Sequence, residues 1–180
     1  MSTTAGAEGR ASRLRLMVFD VDGVFTDGRL YLSGAGEEMK SFHTLDGLGV
    51  KLLRDSGVEV ALLTARVSAV VSRRAAERGI QQVRQGVEDK LAGFEDLLAN
   101  CQVEAAAAGY MGDDLPDLPV LARCGFAASV PNAAEAVRSR VHYTTERAGG
   151  RGAVRELCEF VMRAQGTWEA ALAPFLSKAR

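Results

Sequence analysis

The chain has 180 residues, of which 47% are hydrophobic and 25% charged, and its formal net charge is −1. That length suffices for one domain with a sizeable core, and the near-neutral charge gives no electrostatic case for binding nucleic acid or an anionic membrane. No apolar run reaches the about 18 residues that a membrane-spanning helix needs. The three cysteines form no CxxC pair, which is typical of reduced thiols in a cytoplasmic protein.

The chain begins with small polar residues, and short apolar runs then alternate with amphipathic stretches. Residues 1–13 lack the apolar segment of a secretory signal, so we expect a disordered lead. The apolar runs predict strands at Leu14–Val21, Val58–Thr64, Ile80–Arg84, Ala105–Met111, Phe126–Val130 and Val141–Thr144. The intervening patterns predict helices at Leu45–Asp55, Val67–Arg78, Glu88–Asn100, Leu118–Arg123, Ala133–Arg138 and Gly152–Ala164. Alternating strands and helices predict an α/β fold, a Rossmann-like three-layer structure with a parallel sheet.

One segment interrupts this alternation. Residues 28–43 contain two short β-prone pieces around a glycine-containing turn, which predicts a β-hairpin inserted after the first strand. The rest of the spacing leaves no room for a separate lid, so we predict a capless domain over residues 14–165. A tail over residues 166–180 follows, and its Trp168 and Phe175 are candidate anchors, either on their own sheet or on a neighbouring subunit.

Polar side chains follow four of the predicted strands. They are Asp20, Asp22, Thr64, Arg66, Lys90, Asp113, Asp114 and Asp117. Because ligands bind beyond the carboxyl ends of parallel strands, we expect these side chains to converge at one edge of the sheet. Like charges about 4 Å apart repel by roughly 4 kcal/mol at an effective dielectric near 20, so clustered carboxylates need a cation.

This set of groups suits phosphoryl transfer. A carboxylate can attack phosphorus, and a Mg²⁺ ion can neutralise both the carboxylate and the phosphate. A hydroxyl and an ammonium can hold the remaining phosphoryl oxygens. A second carboxyl two positions along a strand faces the same way as the first and can protonate the leaving oxygen. Taken singly, the same residues also fit turns, helix caps or solvated surface positions.

Four motifs then occur in order, DVDGVFTDG, LLTAR, DK and MGDDLPD, and they resemble those of the haloacid dehalogenase-like (HAD) phosphatase superfamily. The hairpin, TLDGLGVKLL and AGGRGAVRE resemble its small capless branch, the 3-deoxy-D-manno-octulosonate 8-phosphate (KDO 8-P) phosphatases. The resemblance covers about residues 14–165. It implies Mg²⁺-dependent hydrolysis of KDO 8-P to KDO and phosphate, through an aspartyl-phosphate, in lipopolysaccharide biosynthesis. It also implies a cytoplasmic homotetramer whose hairpins and tails pack across subunits.

The resemblance also implies a role for each acidic-cluster residue. Asp20 is expected to be the nucleophile and Asp22 the general acid and then the base. Thr64 and Lys90 are expected to hold the phosphoryl group. The expected Mg²⁺ ligands are the Asp20 carboxylate, the Asp22 backbone carbonyl and the Asp113 carboxylate.

Further positions are implied for orientation and for the sugar acid. Asp114 and Asp117 are expected to orient Lys90 or metal-bound waters. Substrate contacts are expected from His43, Thr44, Leu45, Asp46, Gly47, Lys51, Arg66 and Arg74. A guanidinium suits both the carboxylate and the phosphate of such a substrate. The sequence departs from the family pattern at Ala65, where a glycine is usual, and at Leu45, where an arginine is usual.

Two other functions stay open on the sequence alone. The Leu45 departure removes a possible carboxylate contact, which keeps a nine-carbon (sialic-acid type) 9-phosphate as an alternative substrate. A non-catalytic HAD-like tetramerisation module is more remote, because such a module would not need the second aspartate of DVD.

Overall fold

The computed structural model describes residues 3–34, 36 and 38–177. In this part of the chain the strands are β1 (Leu16–Phe19), β2 (Tyr31–Leu32), β3 (Glu38–Met39), β4 (Glu59–Leu63), β5 (Gln82–Arg84), β6 (Ala108–Met111), β7 (Phe126–Ser129) and β8 (Tyr143–Thr144). The α-helices are α1 (Thr3–Ala11), α2 (Thr44–Asp55), α3 (Ala69–Glu77), α4 (Lys90–Cys101), α5 (Leu118–Arg123), α6 (Glu135–Arg138), α7 (Ala153–Ala164) and α8 (Trp168–Leu176). None of these helices is long and apolar enough to cross a bilayer.

Six strands form a parallel sheet in the order β5-β4-β1-β6-β7-β8, which confirms the predicted α/β fold. The central strand β1 is wholly buried, as expected for a strand covered by helices on both faces. It pairs with β4 on one side and β6 on the other, so that Phe19 lies beside both Leu62 and Met111. From β1 the sheet continues to β4 and β5 on one side and to β6, β7 and β8 on the other. The helices that follow these strands diverge at β1, so a crevice opens beyond its carboxyl end, directly at Asp20.

The predicted hairpin is present as a separate two-stranded sheet. Tyr31 pairs with Met39 and Leu32 with Glu38, in antiparallel register. Tyr31 and Met39 share one face and are 43% and 67% exposed, and Leu32 on the other face is 69% exposed, so the hairpin presents apolar side chains to the surface.

Two local predictions were wrong, both at alanine-rich segments. Residues 1–13 were expected to be disordered, but α1 forms there and packs against α7, with Ala7 and Ala11 buried. Small side chains allow this close approach of the helix. The run from Ala105 begins with a 3₁₀ turn over Ala105–Ala107 before β6, because alanine favours helical backbone.

The tail also forms a helix. Its Trp168 is buried, and the guanidinium of Arg163 lies 4.8 Å from the centre of the indole ring. Trp168 therefore anchors α8 on α7 of the same chain. Phe175, the other candidate anchor, is 52% exposed.

Helices α2 and α7 pack closely, and Asp46 joins them. The residue before α7 is Gly152, which offers no side chain to accept hydrogen bonds from the first turn of the helix. The buried Asp46 supplies that acceptor, since its Oδ1 accepts from the backbone N–H of Arg155 at 2.8 Å. A methyl group at Gly49 would lie 2.9 Å from the Arg155 Cα, so glycine permits the approach that makes this bond.

We expect Asp46→Ala to lower the free energy of unfolding by about 1–3 kcal/mol, because it leaves a buried N–H of α7 without its partner. Urea denaturation measures the change. Asp55→Ala is the matched control, because Asp55 lies on the same helix, pairs with Lys51 on the surface and should change stability by less than about 0.5 kcal/mol. An Asp46→Ala protein as stable as this control would contradict the capping role.

Candidate active site

A tight turn follows β1 and places Asp20 at the carboxyl edge of the sheet. The Asp20 Oδ1 accepts from the next backbone N–H at 2.7 Å. The buried Thr26 closes the turn, since its Oγ1 accepts from the N–H groups of Gly23 and Gly28 at 3.3 and 3.2 Å. Gly23 has φ of +86°, and a Cβ there would lie 2.0 Å from an Asp113 carboxylate oxygen. Only glycine therefore lets the β1 turn meet the β6 loop.

The AGGRG segment before α7 supports this turn from behind. A Cβ at Gly149 would lie 1.7 Å from the backbone oxygen of Gly23. The Gly149 N–H donates to Asn132 Oδ1 at 2.9 Å, and the Gly150 N–H donates to the Val24 carbonyl at 3.0 Å. Gly149 and Gly150 thus allow the segment before α7 to pack closely against the turn that follows β1.

Lys90, the first residue of α4, bridges two buried carboxylates. Its Nζ donates to Asp20 Oδ2 at 2.7 Å and to Asp117 Oδ1 at 2.5 Å. Burial opposes the charged ammonium, but the attraction of Asp20 and Asp117 outweighs it, so the pKa of Lys90 lies above its usual range. The Lys90 side chain therefore carries a positive charge directly beside the predicted nucleophile.

Asp117 organises the loop after β6. Besides Lys90, its carboxylate accepts from the Tyr110 hydroxyl at 2.7 Å and from the N–H groups of Asp113 and Asp114 at 2.9 and 3.1 Å. Its side chain is fully buried. Asp117 thus contacts Lys90, as expected, whereas the Asp114 carboxylate accepts from the N–H of Leu115 and caps the short 3₁₀ helix.

Asp20, Asp113 and Asp117 each offer one oxygen, and these atoms lie within 4.8 Å of one another. Burial, followed by the charge of Asp117, raises the pKa of Asp20 to about 6 in the protein alone. Burial, followed by Asp20 and Asp117, raises the pKa of Asp113 to about 7. Because Asp117 already accepts four hydrogen bonds, Asp20 and Asp113 are the carboxylates left for a cation. Hard oxygen donors at this spacing fit Mg²⁺.

An open cavity of about 260 Å³ lies over this cluster. It is lined by Asp20, Asp22, Gly23, Gly28, Thr64, Ala65, Arg66, Lys90, Asp113, Asp114 and Pro116. Thr64 is buried and its Oγ1 accepts from the N–H of Arg66 at 3.3 Å. In the described part of the chain Gln102 is the one non-glycine residue with positive φ, so Ala65 fits its turn without strain. The structure therefore brings together every residue predicted for catalysis.

The side chain of Asp22 has two cationic neighbours, one of which sequence reasoning missed. Its Oδ1 forms a short ion pair with the Lys40 ammonium, and its Oδ2 lies 3.9 Å from Arg66 Nε. Lys40 follows β3 of the hairpin. The alternation of Glu38, Met39 and Lys40 was the available signal, since it sets Glu38 and Lys40 on one face.

The predicted substrate loop lies outside the cavity over the acidic cluster. His43 caps α2, with its Nδ1 accepting from the Leu45 N–H at 3.3 Å, and Thr44 and Leu45 are exposed. Asp46 and Gly47 are buried and contact other parts of the same chain, and their roles as substrate contacts stay predictions. Asp46 caps α7, and a Cβ at Gly47 would meet the Arg74 guanidinium at 2.8 Å.

The two remaining basic candidates have other partners. Lys51 pairs on the surface with Asp55 at 2.5 Å. Arg74 pairs with Glu77 at 3.2 Å and lies 5.9 Å from the centre of the Phe42 ring. Of the predicted substrate contacts, Arg66 is thus the one that lines the cavity over the acidic cluster.

The raised pKa values of Asp20 and Asp113 make a prediction for metal-free protein. The folded state holds protons that the unfolded chain releases from about pH 4 upward, so these groups lower the free energy of unfolding as pH rises towards 7. We expect Asp113→Asn to raise the metal-free melting temperature near pH 7.5 but not near pH 5, and to abolish stabilisation by Mg²⁺.

Thermal denaturation with and without Mg²⁺ measures both effects. Asp55→Asn is the control, because Asp55 carries the same charge on the surface. Equal stabilisation of Asp113→Asn and wild type by Mg²⁺ would contradict the assignment of Asp113 as a ligand.

No protein-family model matches the chain. It is 41% identical over 162 residues to the 3-deoxy-D-manno-octulosonate 8-phosphate phosphatase KdsC of Yersinia pestis, covering 90% of this chain and 87% of that protein. It is 40% identical over 163 residues to KdsC of Escherichia coli K12, covering 91% and 87%.

Solved structures are equally similar. A probable YrbI family phosphatase from Pseudomonas syringae pv. phaseolica superposes with a TM-score of 0.94 at 48% identity, covering 96% of this chain and 98% of that one. The Moraxella catarrhalis KDO 8-P phosphatase, solved with magnesium, phosphate and KDO, gives a TM-score of 0.92 at 41% identity and covers 94% and 97%. Because identity of this level extends over nearly the whole chain and the acidic cluster lies where the motifs predict, the chain belongs to the KDO 8-P phosphatase family of HAD hydrolases.

Proposed function

We propose that the protein is a Mg²⁺-dependent phosphatase that hydrolyses KDO 8-P to KDO and inorganic phosphate in lipopolysaccharide biosynthesis. The observation that carries the proposal is the Lys90 bridge between Asp20 and Asp117, beside Asp113, at the carboxyl end of β1. Relatives about 40% identical are KDO 8-P phosphatases, and a similar structure holds magnesium, phosphate and KDO.

The mechanism uses Asp20 and Asp22 in turn. An Asp20 carboxylate oxygen attacks phosphorus, the bond from phosphorus to the sugar oxygen breaks, and Asp22 donates a proton to that oxygen. Water then attacks the aspartyl-phosphate while Asp22 accepts its proton, which releases phosphate and restores Asp20. Thr64 and Lys90 hold phosphoryl oxygens during both steps. Asp20, Asp113 and the Asp22 carbonyl would hold Mg²⁺, which would supply charge that offsets the carboxylates and the phosphate.

Recognition of the sugar acid begins with Arg66. Its side chain lines the cavity and is 48% exposed, and its contact with Asp22 is long at 3.9 Å, so its guanidinium can also pair with the substrate carboxylate. A nine-carbon acid 9-phosphate is the alternative substrate, favoured by Leu45 standing where the family usually has arginine. The intact set of Asp20, Asp22 and Lys90 supports an enzyme over a non-catalytic module.

We also propose a cytoplasmic homotetramer. The cavity is open, whereas an aspartyl-phosphate has to be protected from bulk water by a cover of some kind. Tyr31, Leu32 and Met39 expose apolar area on a hairpin that would be marginal alone, which suits burial against a second copy. Thr44 and Leu45 are exposed and can then reach a neighbour's cavity. Free buried thiols at Cys124 and Cys158 fit a reducing compartment.

Sedimentation velocity tests the assembly. We expect a mass near four times the 19.2 kDa of one chain, shifted towards the monomer by Leu32→Asp, which places a charge at an exposed apolar position of the hairpin. Wild type at the mass of one chain would contradict the tetramer.

Phosphate release tests the activity. We expect rapid release from KDO 8-P, slower release from a nine-carbon acid 9-phosphate and little from a hexose phosphate, with all release lost on chelation of Mg²⁺. Asp20→Asn removes the nucleophile, so its turnover should fall by about 10³-fold or more while the fold survives. A preference for the nine-carbon acid would move the substrate assignment, and no hydrolysis of any compound would refute the proposed activity.

A further inference from the structure

The hairpin carries one lysine that is buried although the strands around it are open. The side chain of Lys40 is 1% exposed, whereas its neighbour Met39 is 67% exposed. Lysine is almost never buried to this extent unless its ammonium is paired, because desolvating the charge is costly. The position of Lys40 therefore depends on the carboxylates that surround it.

Those carboxylates come from the hairpin and from the β1 turn. The Lys40 ammonium pairs with Asp22 Oδ1 and lies 3.3 Å from Glu38 Oε1. The other Glu38 oxygen accepts from the Ser68 hydroxyl at 2.5 Å, and Ser68 is itself buried ahead of α3. The hydrogen bond from Ser68 thus holds Glu38 beside Lys40, and the Lys40 ammonium contacts Asp22 as well.

Asp22 has one fixed and one exposed cationic neighbour. Arg66 lies 3.9 Å from Oδ2 with a side chain that is 48% exposed, and it is the group expected to pair with the substrate. When Arg66 contacts a substrate carboxylate, the Lys40 ammonium still donates a hydrogen bond to Asp22 Oδ1, which the carboxyl can accept both when it carries a proton on its other oxygen and when it is ionised. The Asp22 side chain is 22% exposed, so without Lys40 its carboxyl could adopt other rotamers.

We propose that Lys40 is a positioning residue for Asp22, holding its carboxyl where it can reach the leaving sugar oxygen. The inference rests on the proposed function, in which Asp22 protonates that oxygen. A general acid acts only within about 2.6–3.2 Å of the atom that it protonates, so a rotation of the carboxyl away from the cavity removes its contribution. The hairpin therefore completes the reaction centre as well as bordering it.

The leaving group distinguishes positioning of the acid from a role in binding or folding. The sugar alkoxide of KDO 8-P needs protonation as it leaves, whereas the nitrophenolate of p-nitrophenyl phosphate leaves without it. In Lys40→Met we expect kcat/KM to fall roughly 10- to 100-fold for KDO 8-P and less than about 3-fold for p-nitrophenyl phosphate. Because kcat/KM covers steps only up to departure of the leaving group, later hydrolysis of the aspartyl-phosphate does not affect the comparison.

Three further variants complete the test. Lys40→Arg keeps the cation and should recover much of the lost kcat/KM for KDO 8-P. Glu38→Gln leaves Lys40 in place but removes a partner charge, so it should give the same selective loss at a smaller size. Arg29→Met removes a cation of the same hairpin that is 70% exposed, and it should match wild type on both substrates.

The outcomes distinguish the positioning role of Lys40 from the acid role of Asp22, on which it rests. Asp22→Asn should show the same leaving-group selectivity, and equal losses on both substrates in that variant would refute the acid role of Asp22. If Asp22→Asn is selective but Lys40→Met and Glu38→Gln lose both activities equally, or neither, the positioning role of Lys40 is overturned. Melting temperatures of all variants identify any loss that comes from unfolding.

Discussion

The ion pairs that Lys90 makes with Asp20 and Asp117 hold the site together, and most other features of the molecule depend on them. The three charges are buried, so removing one partner would leave an uncompensated charge at a cost of about 3–5 kcal/mol. Each group belongs to a different segment: Asp20 follows β1, Lys90 opens α4 and Asp117 closes the loop after β6. The electrostatic cluster therefore fixes three chain segments at one point, and Asp117 extends it to Tyr110 and to the Asp113 and Asp114 backbone.

The charge balance of this cluster explains why a divalent cation suits it. Asp20, Asp113 and Asp117 together bring one negative charge each, and Lys90 returns one positive charge. Two negative charges remain uncompensated, and burial together with these charges raises the pKa values of Asp20 and Asp113. A dication supplies the missing charge and makes both carboxylates available as ligands at neutral pH. Asp22 lies outside this group of three carboxylates, and its cationic neighbours are Lys40 and Arg66.

Sequence patterns predicted the sheet and the acidic edge because both follow from local rules. Strand ends fix where Asp20, Thr64 and Asp113 lie, and parallel pairing brings those ends together. Contacts between residues far apart in the sequence could not be predicted from these patterns. Asp46 was predicted as a substrate contact, and no local pattern shows that it also accepts a hydrogen bond from a helix 109 residues away whose own cap position is glycine. The alternation of Glu38, Met39 and Lys40 places Glu38 and Lys40 on one face, but the burial of Lys40 depends on how the hairpin docks, which local sequence does not encode.

The hairpin has two faces with different constraints, and this follows from the alternation of its side chains. Glu38 contacts Ser68, and Lys40 contacts Asp22. The contacts that dock the hairpin are therefore the same ones that orient the Asp22 carboxyl. Met39 and its cross-strand partner Tyr31 lie on the opposite face, where Met39 is 67% exposed. A two-stranded sheet is marginal by itself, so the inner ion pairs stabilise it on the site while its outer apolar face stays free for a second surface. If that surface belongs to another copy, assembly would stabilise the docked hairpin and, through Lys40, the working position of Asp22.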